Sequence, residues 1–348
     1  MEKITDMISS PTISDNLWKV MVEKQSEFSD LKILEFGSGG STLGFIKEYY
    51  GNRHRYGSIK IVSFEHWPAF YRHLCRILPD YIEARDGEGL KFSVYRIKGP
   101  REGLSGRLKK NRLSKLYAVP PVYDILGTKK GVVFHPVRLT VMAIDLLNKR
   151  ICALLSVVNS LSAYYFRKIT GRDAAKWEKS LVLADMSPKG FKEYLEDKAI
   201  SGKCMVEIKS ADGSFRFDYY LLPEKGRNPF WRRMDIDGTF GEFEDYVLFP
   251  LDCKFDIVYL DGRSRVSCAR RVLAEGLLSS GGYMFMHDAH KAWYEKWLQD
   301  VYEKGERLSG SNRRLDGRAI YTKPSGEALP SAKDELYVFK NSSGYHAG

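Results

Sequence analysis

The stretch KILEFGSGGSTLGFI, Lys32 to Ile46, decides how the chain is read. Ile33 to Phe36 is a short apolar run interrupted only by Glu35, the pattern of a buried strand. Gly37, Gly39 and Gly40 follow at once, and helical spacing resumes from Ser41. A glycine-rich turn between a strand and a helix lets backbone N–H groups approach a ligand closely. The register is not that of a dinucleotide site, because Thr42 stands where the third glycine of G-x-G-x-x-G would fall. A P-loop is excluded because no Gly-Lys-Ser/Thr follows. Glu35 would repel a phosphate, whereas a carboxylate there suits a cationic ligand, met directly or through water.

Working outward, Asp15 to Glu27 reads as a helix with Leu17, Val20 and Met21 on one face. IKIVSFE is a second strand ending at Glu65, and AFYRHLCRIL a helix expected to stop before Pro79. Strand, helix, strand, helix is the order of a parallel α/β sheet. The pattern returns late in the chain. FDIVYLDG is a strand ending at Asp261, SRVSCARRVLAEGLL a helix, GGYMFMHD a strand ending at Asp288, and AWYEKWLQDVYEKG a helix. AIYTK and ELYVFK suit a terminal antiparallel pair. In an open α/β sheet the carboxyl ends of the strands line the ligand crevice. Glu35, Glu65, Asp261 and Asp288 all fall at or near such ends.

The third strand has two candidates, KFSVYRIKG and FRFDYYLLP. The expected division is therefore 1–98 and 241–340 as the two halves of one α/β domain, 99–240 as an insertion, and 341–348 as a loose tail. The insertion carries the basic run RLKKNRLSK and the mostly apolar stretch Val132 to Phe166, read as two helices joined near Asn148. The uncharged part of that stretch falls short of the ~20 residues a membrane span needs.

The net charge of +11 favours an anionic partner: nucleic acid, a lipid surface or an acidic glycan. The five cysteines are scattered with no C-x-x-C pair, which points away from a disulfide framework or zinc site and towards a reducing compartment. The start shows no secretory signal pattern. A cytoplasmic protein, peripheral at a membrane, is the expectation.

LEFGSGGSTL resembles the first motif of class I S-adenosylmethionine (SAM)-dependent methyltransferases. In that family an acid ending the second strand binds the ribose hydroxyls, and Glu65 occupies that place. It lies 26 residues after Gly39, against about 20 in dinucleotide folds, and YYGNRHRYGS supplies the extra loop. FDIVYLDGRSRVSCARRVL followed by GGYMFMHD resembles a subgroup with a DGR-x-R turn and a strand-end HD. The resemblance covers about 35–100 and 245–340. It implies a Rossmann-like class I methyltransferase sheet with helices on both faces and a large helical insertion. SAM would contact Glu35, Gly37, Ser38, Gly39, Gly40, Ser41, Thr42 and Glu65. The activity implied is O-methyl transfer to a hydroxyl of a glycan or secondary metabolite, with Arg263 and Arg265 contacting an anionic acceptor.

Asp261 and Asp288 are similar in placement to the carboxylates that bind Mg²⁺ in catechol O-methyltransferase-like enzymes, although Ala289 stands where a third oxygen ligand would be. Without a metal, His287 or His290 becomes the general base. Plain structural alternatives stand beside these roles. Glu35 would cap a helix, Asp261 form a turn, Asp288 act as an N-cap, and Arg263 and Arg265 pair with nearby acids. Alternative functions are a nucleic-acid methyltransferase, which the charge favours but for which no Asn-Pro-Pro-Tyr tetrad or catalytic Pro-Cys turn is found, and a non-catalytic binding protein. The 99–240 segment would serve acceptor binding, pairing with a second copy, or docking on an anionic membrane.

Overall fold

The structure is a computed structural model that describes residues 13, 15–86, 89–99, 177–197, 202–225, 240–287, 305–309 and 335–342. At its centre is β1 (Asp30–Phe36), whose last four residues are all buried. Both of its neighbours run parallel to it: β2 (Ser58–Glu65) on one side and β7 (Phe255–Leu260) on the other. A strand covered on both faces has no solvent side to keep polar, so it reads as a continuous apolar run.

Among the described residues ten strands form one sheet in the order β4-β3-β5-β6-β2-β1-β7-β8-β10-β9. β6 (Phe215–Leu221) pairs parallel with β2, and β8 (Leu278–His287) parallel with β7. The parallel core is flanked by antiparallel strands. β10 (Glu335–Lys340) lies against β8, with β9 (Glu306–Ser309) beyond it. At the other edge β5 (Cys204–Lys209), β3 (Lys91–Lys98) and β4 (Glu178–Met186) follow in antiparallel succession.

The two cores show how the sheet is wound. On one face α1 (Asp15–Gln25), α2 (Gly40–Gly51), α3 (Pro68–Asp86) and α4 (Pro188–Asp197) pack on Ile33, Ile61, Phe217 and Tyr259. On the other, α5 (Glu244–Leu248) and α6 (Arg265–Ala274) pack on Phe36, Phe64, Val258 and Met286. The helix after β1 and the helix after β7 thus lie on opposite faces. That makes the gap between the carboxyl ends of these two strands a topological switch point, where doubly wound sheets hold their ligands. The fold is a Rossmann-like α/β sheet with helices on both faces.

Several expectations change. Both third-strand candidates enter the sheet, but FRFDYYL takes the parallel place beside β2 while KFSVYRIK sits two positions further out, antiparallel to its neighbours β5 and β4. β6 is buried at all but one position, whereas β3 has exposed polar residues at both ends, so β6 suits the interior slot. The range 99–240 is not wholly an insertion, since residues 178–221 supply three strands and α4. α3 does not stop before Pro79 but runs through it to Asp86. Leu74 and Leu78 before the proline and Ile82 after it are all fully buried on one face, and that packing outweighs the lost backbone hydrogen bond. β10 finds its antiparallel partner in Glu306–Ser309, while AIYTK lies outside the described residues. So do Val132 to Phe166 and the helix expected after Asp288. No helix among the described residues is long and apolar enough to cross a membrane.

Candidate active site

The turn after β1 is held from beneath. Glu35 is fully buried, and its carboxylate accepts hydrogen bonds from the hydroxyls of Ser41, Thr42 and Ser63, each at 2.6 Å. Thr42 Oγ1 in turn accepts the Gly39 N–H at 2.9 Å, so Glu35 fixes the turn through Thr42. Burial pushes the Glu35 carboxyl up to about 7; the three hydroxyls oppose this shift, and the charge of Asp261 adds to it. Gly39, Gly40, Ser41 and Thr42 are also buried, which leaves Gly37 and Ser38 as the half-exposed part of the turn. The structure places Glu35 under the turn rather than in the crevice.

Gly37 has φ of +97°, a conformation suited to glycine, and a Cβ there would lie 2.4 Å from Gly262 Cα. The β1 and β7 turns therefore meet backbone to backbone. The N–H groups of Asp261 and Gly262 both donate to the Phe36 carbonyl, at 2.9 and 2.5 Å.

Glu65 closes β2 and is 3% exposed. Its Oε1 accepts the main-chain N–H groups of His66 and Trp67, each at 2.8 Å, and its Oε2 accepts the Ser38 hydroxyl at 2.7 Å. His66 Nδ1 lies 3.0 Å from Oε1, off the line of a well-directed hydrogen bond. Burial alone would raise the Glu65 pKa, but the His66 imidazole, the Trp67 N–H and Ser38 outweigh it and hold the carboxyl below its ordinary value. Trp67, 43% exposed, stacks on Phe70. The Phe70 ring lies 3.4 Å from where a Gly39 Cβ would be, so an aromatic shelf flanks the turn.

Across the switch point, Leu260 is level with Met286, which brings Asp261 level with His287. Asp261 Oδ1 is 2.8 Å from His287 Nδ1 and accepts from Arg265 Nη2 at 3.1 Å. Arg265 is 7% exposed and also donates to the carbonyls of Gly262, His287 and Asp261. It fastens the ends of β7 and β8 together, and with its donors turned inward it is not placed to contact an acceptor, contrary to the expectation for it. Arg263 is exposed at the same turn. Ser264, between them, adopts φ of 53°, rare for a residue with a side chain, and reverses the chain so that Arg265 points back under the turn.

Asp288 and His290 lie outside the described residues. Among the described residues no group of three or more His, Cys, Asp or Glu side chains is placed to hold a metal ion. Among the described residues Asp261 meets His287, Arg265 and the Tyr259 hydroxyl.

Two tyrosines at the site carried no signal in the sequence. Tyr219 of β6 reaches Ser38 with its hydroxyl at 2.7 Å. Tyr246 of α5 is fully buried, and its hydroxyl, which has no hydrogen-bond partner among the described residues, lies against Gly262. Neither belongs to a motif, and both reach the site only through the sheet order and the packing of α5.

No protein-family model matches the chain, and a search of the curated proteins finds no match. Among solved structures it is similar to MnmC2 from Aquifex aeolicus, at 10% identity and a TM-score of 0.29, over 94% of this chain and 59% of that one. The chain thus spans less than two thirds of that structure's length. A likeness at this level leaves the functional reading to the geometry of the site.

Proposed function

We propose that the protein is a SAM-dependent methyltransferase, with the cofactor over the Gly37–Ser38 turn and its ribose on Glu65. The observation that carries this reading is Glu65 itself: an ionised carboxylate ending β2, one strand from the switch point and hydrogen-bonded to the glycine turn. Its donor chemistry fits the cofactor. Ribose hydroxyls are donors to a carboxylate, and Glu65 and Asp261 make the crevice favourable to a sulfonium and an ammonium but not to a phosphate. When bound, SAM supplies an electrophilic methyl group.

The chain's own part is to align an acceptor and take its proton. The Asp261–His287 pair supports transfer to a hydroxyl, such as that of a glycan or secondary metabolite. With Nδ1 committed to the Asp261 carboxylate, the imidazole keeps Nε2 as its basic nitrogen. Of the Asp261–Asp288 pair that would hold Mg²⁺, only Asp261 is described, and the Arg265 guanidinium on its Oδ1 opposes a divalent cation at that oxygen.

Titration calorimetry of the full chain with S-adenosylhomocysteine tests the reading. Binding is expected, and Glu65→Ala should weaken it by about 1.5–3 kcal/mol, the scale of a hydrogen bond to a charged group. A wild-type protein that gives no binding heat at millimolar ligand overturns the assignment. Unchanged affinity in Glu65→Ala overturns the ribose placement alone.

A further inference from the structure

Tyr219 takes no part in the chemistry proposed above, yet its hydroxyl is built into the site. Its ring stacks on Tyr71 of α3 with centroids 4.3 Å apart, and the Tyr71 hydroxyl donates to the Tyr219 carbonyl at 3.1 Å. Held on both counts, the phenol oxygen lies 2.7 Å from Ser38 Oγ, and Ser38 Oγ lies 2.7 Å from Glu65 Oε2. The direction of each hydrogen bond follows from the chemistry. An ionised carboxylate only accepts, so the single Ser38 proton goes to Glu65. Ser38 then has only lone pairs to offer Tyr219, which must donate. Burial pushes the Tyr219 phenol well above its ordinary pKa, and the nearby Glu65 charge pushes it the same way, so it keeps its proton.

The relay determines what Glu65 has left. A carboxylate oxygen offers about two acceptor directions. Oε1 already takes the N–H groups of His66 and Trp67, whereas among the described residues Oε2 takes only Ser38. A carboxylate with both oxygens open can accept the two hydroxyls of a vicinal diol, one on each. This one has a single open direction, on Oε2.

We infer that Tyr219 is a positioning residue that acts through Ser38 on Glu65, and that the relay lets Glu65 accept one hydroxyl of the cofactor's ribose rather than both. The inference rests on the SAM reading. With the Tyr219 hydroxyl gone, Ser38 is free to rotate, the open direction on Oε2 is no longer fixed, and the preference for one hydroxyl weakens.

The test is calorimetry of the full chain with S-adenosylhomocysteine and its 2′-deoxy and 3′-deoxy forms, on wild type, Tyr219→Phe and Ser38→Ala. In the wild type one deoxy form should bind at least about tenfold more weakly than the parent while the other stays within about threefold. In Tyr219→Phe the parent should lose about three- to tenfold, and the gap between the two deoxy forms should narrow. Ser38→Ala, at the half-exposed turn, should narrow it as well and serves as the readout if the tyrosine variant does not fold. A purely structural role for Tyr219 would weaken all three ligands by the same factor, and that result overturns the inference. So do equal affinities of the wild type for the two deoxy forms. A wild type that binds none of the three overturns the methyltransferase reading and this inference with it. One that binds them with a gap unchanged in both variants overturns this inference alone.

Discussion

Glu35 and Glu65 are both buried carboxylates at the ends of adjacent strands, and their surroundings set them apart. Glu35 has only neutral hydroxyls for donors, with the Asp261 charge nearby, and is pushed up to about 7. Glu65 has main-chain N–H groups and an imidazole, and is held below the ordinary range. Between its ordinary 4.5 and about 7, Glu35 binds more proton in the folded state than in the unfolded one. Its contribution to stability is therefore fully present below pH 4.5 and is lost as pH rises through 7. Glu35→Gln removes that titration. Denaturant melts from pH 5 to 8 should show the wild type losing on the order of 2–3 kcal/mol relative to the variant. Parallel curves would mean that Glu35 stays ionised when folded. The sequence places Glu35 at a strand end but does not say which side of the turn it faces. That depends on Ser63, which lies opposite Glu35 on β2 and 28 residues away in the chain.

At the scale of elements, the crevice is built by two turns that need each other. Gly37 and Gly262 touch through their backbones, and neither has room for a methyl group. Gly37→Ala should cost at least about 2 kcal/mol in urea unfolding, from the left-handed φ and the forced separation of the turns. Gly51→Ala is the control: nothing lies within 4 Å of its Cβ position, and it should change stability by no more than about 0.5–1 kcal/mol, in the stabilising direction. Similar losses in both variants would rule out the close packing. Asp-Gly after an apolar run is a legible turn signal. That the same glycine must accommodate another backbone is not legible, because its partner lies 225 positions away. Arg265 shows the same limit. A sequence marks an arginine near a strand end as a candidate ligand group, and only the strained turn at Ser264 sends it inward to the carbonyls of β7 and β8.

For the whole molecule, the +11 charge remains the chief clue to a partner. The basic run and apolar stretch between Arg107 and Phe166 lie outside the described residues, so docking on an anionic membrane surface stays a proposal drawn from composition. It predicts sedimentation with anionic liposomes at low salt and release at high salt, since each basic residue near such a surface contributes roughly 1 kcal/mol that salt screens. Protein left in the supernatant at low salt, or equally bound to neutral vesicles, would exclude it. The sequence by itself determined the alternation of strands and helices in the described halves of the sheet, and that Glu35, Glu65, Asp261 and the turn glycines stand at or near strand ends. Those features are local: apolar periodicity and turn chemistry are carried by neighbours in the chain. Only the tertiary structure decided that β6 rather than β3 lies beside β2, that α3 continues through Pro79, that Glu35 supports the turn from below, and that Tyr219 reaches Ser38. Each of these follows from burial and hydrogen bonding between segments far apart in the chain, where side chains compete for the same interior space and no local pattern records the outcome.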